Sequence, residues 1–242
     1  MKLSRINDPV PDAKTVRLFR DKLTDGGMIE KLFGCLDKQL DKDGVIVHKG
    51  KLVDATIVEV PIQRNSREEN KELKEGNIPD DWDENKLRQK DTAARWTTKN
   101  GEDYLVIKII TGFSVTPANI HDSEMTEELL DKKEDGGQPL YADSAYRSQA
   151  IEKMCETKNI KSCIHEKGYH NNPLTKRQKQ LNKKKSKTRA RVEHIFGFIS
   201  NSMNGMYLHN RNFVRNQAAV GLMNLTYNLF RLVQLKVKIK TG

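Results

Sequence analysis

"QPLYADSAYRSQAIEKMCETKN", residues 138–159, carries most of the information about fold class. It opens as a short apolar strand, ends that strand at Asp143 and changes to helical spacing from Ser148 onward. A strand that stops at a carboxylate and hands over to a helix is a building unit of α/β sheets, and ligand sites collect where such strands end. Upstream, "VIVHKGKLVDATIVEV" (45–60) is rich in β-branched residues and predicts two strands turning at His48–Gly50, with Pro61 as the stop. "DYLVIKIITGFSVT" (103–116) predicts a further strand. "SEMTEELLDKKED" (123–135) predicts a helix with Met125, Leu129 and Leu130 facing inward and Asp122 or Ser123 as its cap.

Residues 12–40 predict two short helices. The first follows an Asp12 cap and puts Val16, Phe19 and Leu23 on one face. The second repeats Ile29, Leu32, Phe33, Leu36 and Leu40. Residues 62–100 form a polar excursion outside the sheet, where Trp82 and Trp96 either pin the loop to the sheet or offer a ring to an unpaired base. Further on, "TRARVEHIFGFIS" places Val192, Ile195, Phe196 and Ile199 at helical spacing. "RNQAAVGLMNLTYNLFRLVQL" runs Ala218, Leu222, Leu225, Leu229 and Leu232–Val233 down one helical face.

Charge narrows the class of partner. The 242 residues carry a net charge of +10, unevenly spread. Residues 151–242 hold 19 Lys or Arg against 4 Asp or Glu, whereas residues 1–150 hold 24 against 29. Nine basic residues and no acidic one fall within 171–191, which reads as a basic loop suited to a polyanion. Its cations at Lys176, Arg177, Lys183, Lys184, Lys185, Lys187, Arg189 and Arg191 are the expected DNA-contacting surface. No stretch approaches the roughly 20 apolar residues of a membrane span. The absence of a leader-like start and the presence of only three cysteines predict a cytoplasmic, nucleoid-associated protein without a disulfide framework. Cys155, Cys163, His165 and His170 have a spacing that fits no common zinc finger.

Three carboxylates stand out. Asp54 lies in the apolar run "LVDATIV", where a charge is costly unless it is paired or binds a metal. Asp143 ends its strand, and Glu193 borders the apolar stripe of Val192 and Phe196 inside a basic surface. Together they could hold one or two Mg²⁺ ions, with Mn²⁺ as substitute, and support phosphoryl transfer without a protein nucleophile. Each also has a plain alternative: a strand-edge charge, a turn cap and an ion-pair partner of Arg189.

The stretches "VPDAKTVRLFRDKL", "LVDATIVEVPIQRNSREENKELKEGNIPDDW", "LRQKDTAARWTTKNG", "FSVTPANIHDS", "YADSAYRS", "KTRARVEHIFGFISNSMNGMY" and "GLMNLTYNLFR" follow one another along the chain. In that order they resemble the bacterial insertion-sequence transposases of the DDE type, most closely the insertion-sequence-five group. The resemblance implies a ribonuclease H-like mixed sheet flanked by helices, with Asp54, Asp143 and Glu193 as catalytic metal ligands. It also implies that Tyr146, Arg147, Arg189 and Arg191 help position DNA, and it places His121–Asp122 near the active site. The implied enzyme nicks element ends at terminal inverted repeats and joins the 3′-hydroxyls to target DNA, as a homodimer when active. The expected organisation is a helical N-terminal remnant (1–44), a catalytic domain (45–235) with the polar insertion, and a basic tail (236–242). Compared with that family, the chain is short before "VPDAKTVRLFR" and around "KNGEDYLVIKIITGFSVT". The expectation is therefore an N-terminally shortened, impaired transposase; the alternative is a catalytically decayed DNA-binding remnant or regulator.

Overall fold

The computed structural model describes residues 10–46, 48–60, 65–80, 82–83 and 109–241. Trp96, the segment 84–108 and residues 61–64 of the expected excursion lie outside them. Three short strands form a parallel sheet in the order β1–β2–β3: Lys51–Leu52, Pro139–Tyr141 and Lys161–Ser162. Lys51 pairs with Leu140 and Leu52 with Tyr141, while Pro139 pairs with Lys161 and Leu140 with Ser162. The chain is thus α/β, and among the described residues the sheet is wholly parallel.

The two N-terminal helices form as expected. Helix α1 (Ala13–Asp25) is capped by Asp12, whose carboxylate accepts from the Thr15 amide at 2.7 Å. Gly27, at φ +56°, turns the chain into α2 (Met28–Lys42). Their apolar faces fare differently. Ile29, Phe33 and Leu40 of α2 are buried, but Val16 and Phe19 of α1 stay exposed because α1 lies outermost on the pair.

The expected 45–60 hairpin is a correction. Val45 and Ile46 donate their amides back to the Leu40 carbonyl, so these β-branched residues close the end of α2 and join no strand. Strand pairing is confined to Lys51–Leu52, with Val53 adding one more bond to the Tyr141 carbonyl at 3.0 Å. Asp54 therefore stands just past the strand. Further along, Glu59 exchanges backbone bonds with Met206 and Leu208.

The polar excursion contains α3 (Arg67–Lys74), started by a Ser66–Glu69 capping box. Trp82 is buried and donates its indole N–H to Glu69 at 2.7 Å, so it is pinned to this helix and not to the sheet. Residues 109–116 are not a strand. The Asn228 side chain instead accepts from the Ile110 amide at 2.9 Å and donates to its carbonyl at 2.8 Å, standing where a neighbouring strand would. Residues 123–135 break into a 3-10 turn (Asp122–Met125), capped by His121, and α4 (Lys132–Asp135), capped by Asp131. The Lys158 ammonium draws off the Glu127 and Leu130 carbonyls between them, which a continuous helix would have used.

Helix α5 (Gln149–Thr157) forms where its sequence predicted, and it crosses from β2 to a strand, β3, that the sequence did not suggest. The basic segment is a second correction: it is helical, the first half of the 28-residue α6 (Lys176–Met203). A Thr175–Gln178 capping box starts the helix, and straight-chain Lys, Arg and Gln sustain it. Helix α7 (Phe213–Thr241) packs against α1 and α2 and continues through residues expected as a basic tail. Its buried face carries Asn216, Ala218, Asn224, Tyr227 and Asn228, while Leu229 and Val233 of the expected apolar stripe are exposed. None of the described helices is long and apolar enough to cross a membrane.

One apolar cluster lies around the sheet, with Val53, Leu140, Ala142, Tyr146, Ile151 and Ile164 among its members. A second joins α6 to α7 through Val192, Ile195, Ile199 and Tyr227. The sheet and α6 therefore bring the C-terminal ends of β1 and β2 near the middle of the long helix.

Candidate active site

The parallel register pairs Leu52 with Tyr141, and Asp54 and Asp143 each come two residues after that last pair. Both aspartates thus sit at the carboxyl ends of adjacent parallel strands, where backbone pairing stops and side chains can reach a ligand. Asp143 also caps the 3-10 turn Ser144–Tyr146, accepting from the Ala145 amide at 2.7 Å. The turn drops Tyr146 beneath the acids, 3% exposed. Burial first, then the negative charges of Asp122, Asp54 and Asp143, push its phenol well above the ordinary range; Arg189 opposes them. Asp122 therefore belongs to this acidic neighbourhood.

Helix α6 meets the sheet along one polar face. Asn182 accepts from the Glu166 amide at 2.9 Å and donates to the Glu166 carbonyl at 3.0 Å. Lys185 donates to the Ile164 carbonyl at 2.6 Å, and one further turn on, Arg189 reaches the Asp54 carboxylate at 3.0 Å. Glu193 follows four residues later, half-buried. His165, which extends the β2–β3 ladder by donating its amide to Ala142, lies beside this face. Burial, then Arg189 and Lys185, lower its pKa.

The expected DNA-contacting residues fall into two sets. Lys176, Arg177, Lys183, Lys184, Lys187 and Arg191 are exposed. Tyr146 is buried, and Arg147, Lys185 and Arg189 face inward. Arg147 lies 3.2 Å from Glu166 and 3.5 Å from Glu152, and donates to the Ile164 carbonyl. The polar bridge made by Asn182 was not foreseen: an asparagine within a basic run carries no sign of its partner 16 residues away.

Every expected metal donor is a carboxylate oxygen, which suits a hard divalent cation, and two of the three lie just past the ends of the adjacent strands β1 and β2. The third is carried on α6, one turn beyond the arginine that touches Asp54. Among the described residues, no three His, Cys, Asp or Glu side chains are gathered closely enough to hold an ion. That also holds for Cys155, Cys163, His165 and His170. The donor chemistry fits Mg²⁺; in this arrangement the cation at Asp54 is Arg189.

Residues 47–229 match the family described as "Transposase DDE domain". The chain belongs to this family. It is also 30% identical over 192 residues to the transposase for insertion sequence element IS1106 from Neisseria meningitidis serogroup B. That match covers 75% of this chain and 65% of the relative, so the chain spans under two thirds of the relative's length. No solved structure matches. The family match reaches from just before β1 to just past the middle of α7, and therefore takes in both aspartates, Arg189 and Glu193 of this DDE domain.

Proposed function

We propose that this DDE domain cleaves DNA strands at the ends of an insertion sequence and joins the resulting 3′-hydroxyls to a target, using Asp54, Asp143 and Glu193 to hold Mg²⁺ or Mn²⁺. The observation that supports the reading is that Asp54 and Asp143 each follow, by two residues, the paired ends of adjacent parallel strands within the family match. When bound, the divalent ions supply Lewis-acid polarisation of the phosphodiester and activation of the attacking oxygen. The chain's own part is to hold carboxylates from two strands and a helix, and to present cations to the flanking phosphates. In cleavage a water oxygen bonds to phosphorus and the 3′-oxygen leaves; in joining, that 3′-hydroxyl attacks a target phosphodiester and displaces another 3′-oxygen. We read the parallel strands with acids at their ends as the core of a ribonuclease H-like domain spanning about residues 45–235, and the active form as a homodimer on DNA.

The test is nicking of supercoiled plasmid with Mg²⁺ or Mn²⁺ by the parent chain, Asp54→Ala, Asp143→Ala and Glu193→Gln. Nicking by the parent that disappears in all three supports the assignment. Equal nicking by parent and variants removes it. A second reading, a DNA-binding remnant without chemistry, draws on the Asp54–Arg189 pair and the dispersed acids. It predicts DNA binding by the parent without nicking in either metal.

A further inference from the structure

Asp54 is committed at both of its oxygens. One accepts from the Ala55 amide at 3.1 Å and the other from the Arg189 guanidinium at 3.0 Å. The pair is enclosed, with side-chain exposures of 13% for Asp54 and 19% for Arg189, so water does little of the neutralising. It is also incomplete on the arginine side, because the Arg189 Nε is buried without a hydrogen-bond partner. A guanidinium offers five N–H donors, and leaving a buried one unsatisfied weakens the case for a purely structural bridge. Asp143, just past the adjacent strand, and Asp122, at the neighbouring 3-10 turn, act with Asp54 and Arg189 on the same buried Tyr146. The site thus concentrates negative charge and meets it with a positive group borne on the helix that carries Glu193.

We propose that Arg189 is a positioning residue that acts as the resident cation of this site, holding Asp54 at the strand end until a divalent ion takes its place. The inference rests on the reading of Asp54 and Asp143 as metal ligands. Loading the site then requires Arg189 to leave Asp54, which frees the guanidinium for a phosphate oxygen of bound DNA.

The experiment is direct Mn²⁺ binding to the whole chain, read from the electron-paramagnetic-resonance signal of free Mn²⁺, for the parent, Arg189→Gln and Asp143→Asn. Arg189→Gln removes the competing charge and is expected to tighten Mn²⁺ binding about tenfold, within the usual range of coupling between two sites. The same variant should melt below the parent without metal and regain the difference at saturating Mn²⁺; a bridge of structural value alone would leave the gap unchanged. On the parent chain, the Arg189 Nε–H signal in nitrogen-15 spectra, assigned through Arg189→Lys, should move as Mg²⁺ is added. Equal or weaker Mn²⁺ binding by Arg189→Gln, or an Nε–H signal that stays fixed at Mg²⁺ saturation, overturns the proposal alone. Mn²⁺ binding by Asp143→Asn as tight as the parent's overturns the metal-site reading and this proposal with it.

Discussion

As the proposed metal ligand, Glu193 would answer to two demands at once: negative charge for the metal and tolerance beside phosphate. Changing it to glutamine removes the charge and keeps the shape. Cleavage should fall by at least about a thousandfold, the loss of a few kcal/mol of metal-borne stabilisation. Non-specific DNA binding should hold or tighten, since one repulsive charge is gone. Plasmid nicking and fluorescence anisotropy at one salt concentration check both halves, and parent-level cleavage would defeat the role. Gly50 makes a different kind of demand. It adopts φ +131° at the start of β1, and a Cβ there would lie 2.9 Å from the Pro139 carbonyl oxygen of β2. Gly50→Ala should cost about 2 kcal/mol through backbone strain and a widened strand pair. A denaturant midpoint equal to the parent's would mean that β1 shifts freely, and with it Asp54.

Helix α6 works as one element with two faces. At 100° per residue, Lys176, Lys183, Lys187 and Arg191 fall within about 80° of arc, with Asn182, Lys185 and Arg189 on the opposite side. The inward three touch the sheet on successive turns and set the axial position of everything that follows, Glu193 included. Asn182→Leu should leave the part-buried amide and carbonyl of Glu166 unpaired. The expected loss is about 2 kcal/mol, or roughly 4 to 8 °C in Tm for a domain of this size, read by calorimetry. An unchanged Tm would mean that water replaces the asparagine and that the helix is registered by its apolar contacts alone.

Across the whole molecule, charge is divided: the half that holds both aspartates is net acidic, and the half that holds the basic helix is strongly basic. In the proposed reading, DNA is attracted to the second and led to the first. Neutralising Lys176, Lys183, Lys187 and Arg191 together should reduce the slope of log affinity against log salt by about three to four, close to 0.9 per lost phosphate contact on duplex DNA. Anisotropy titrations across a salt series measure it. An unchanged slope would place the DNA elsewhere on the surface.

Much was legible in the chain because the governing physics was local. The Asp12 cap, the two N-terminal helices, the β2 strand and the helix after it all follow from spacing and side-chain reach within a few residues. Candidate site residues could likewise be named from local oddity, such as a carboxylate in an apolar run. Other features needed partners distant in sequence. Val45 and Ile46 had strand propensity but were claimed by the end of α2, and residues 109–116 found asparagine and glutamine side chains in place of another strand. The basic run gave no apolar period, so its helicity was invisible to pattern; a capping box and good helix formers carried it. The Arg189–Asp54 pair joins positions 135 residues apart. No local rule could pair them, because what joins them is the register of two strands and the docking of a helix across their ends.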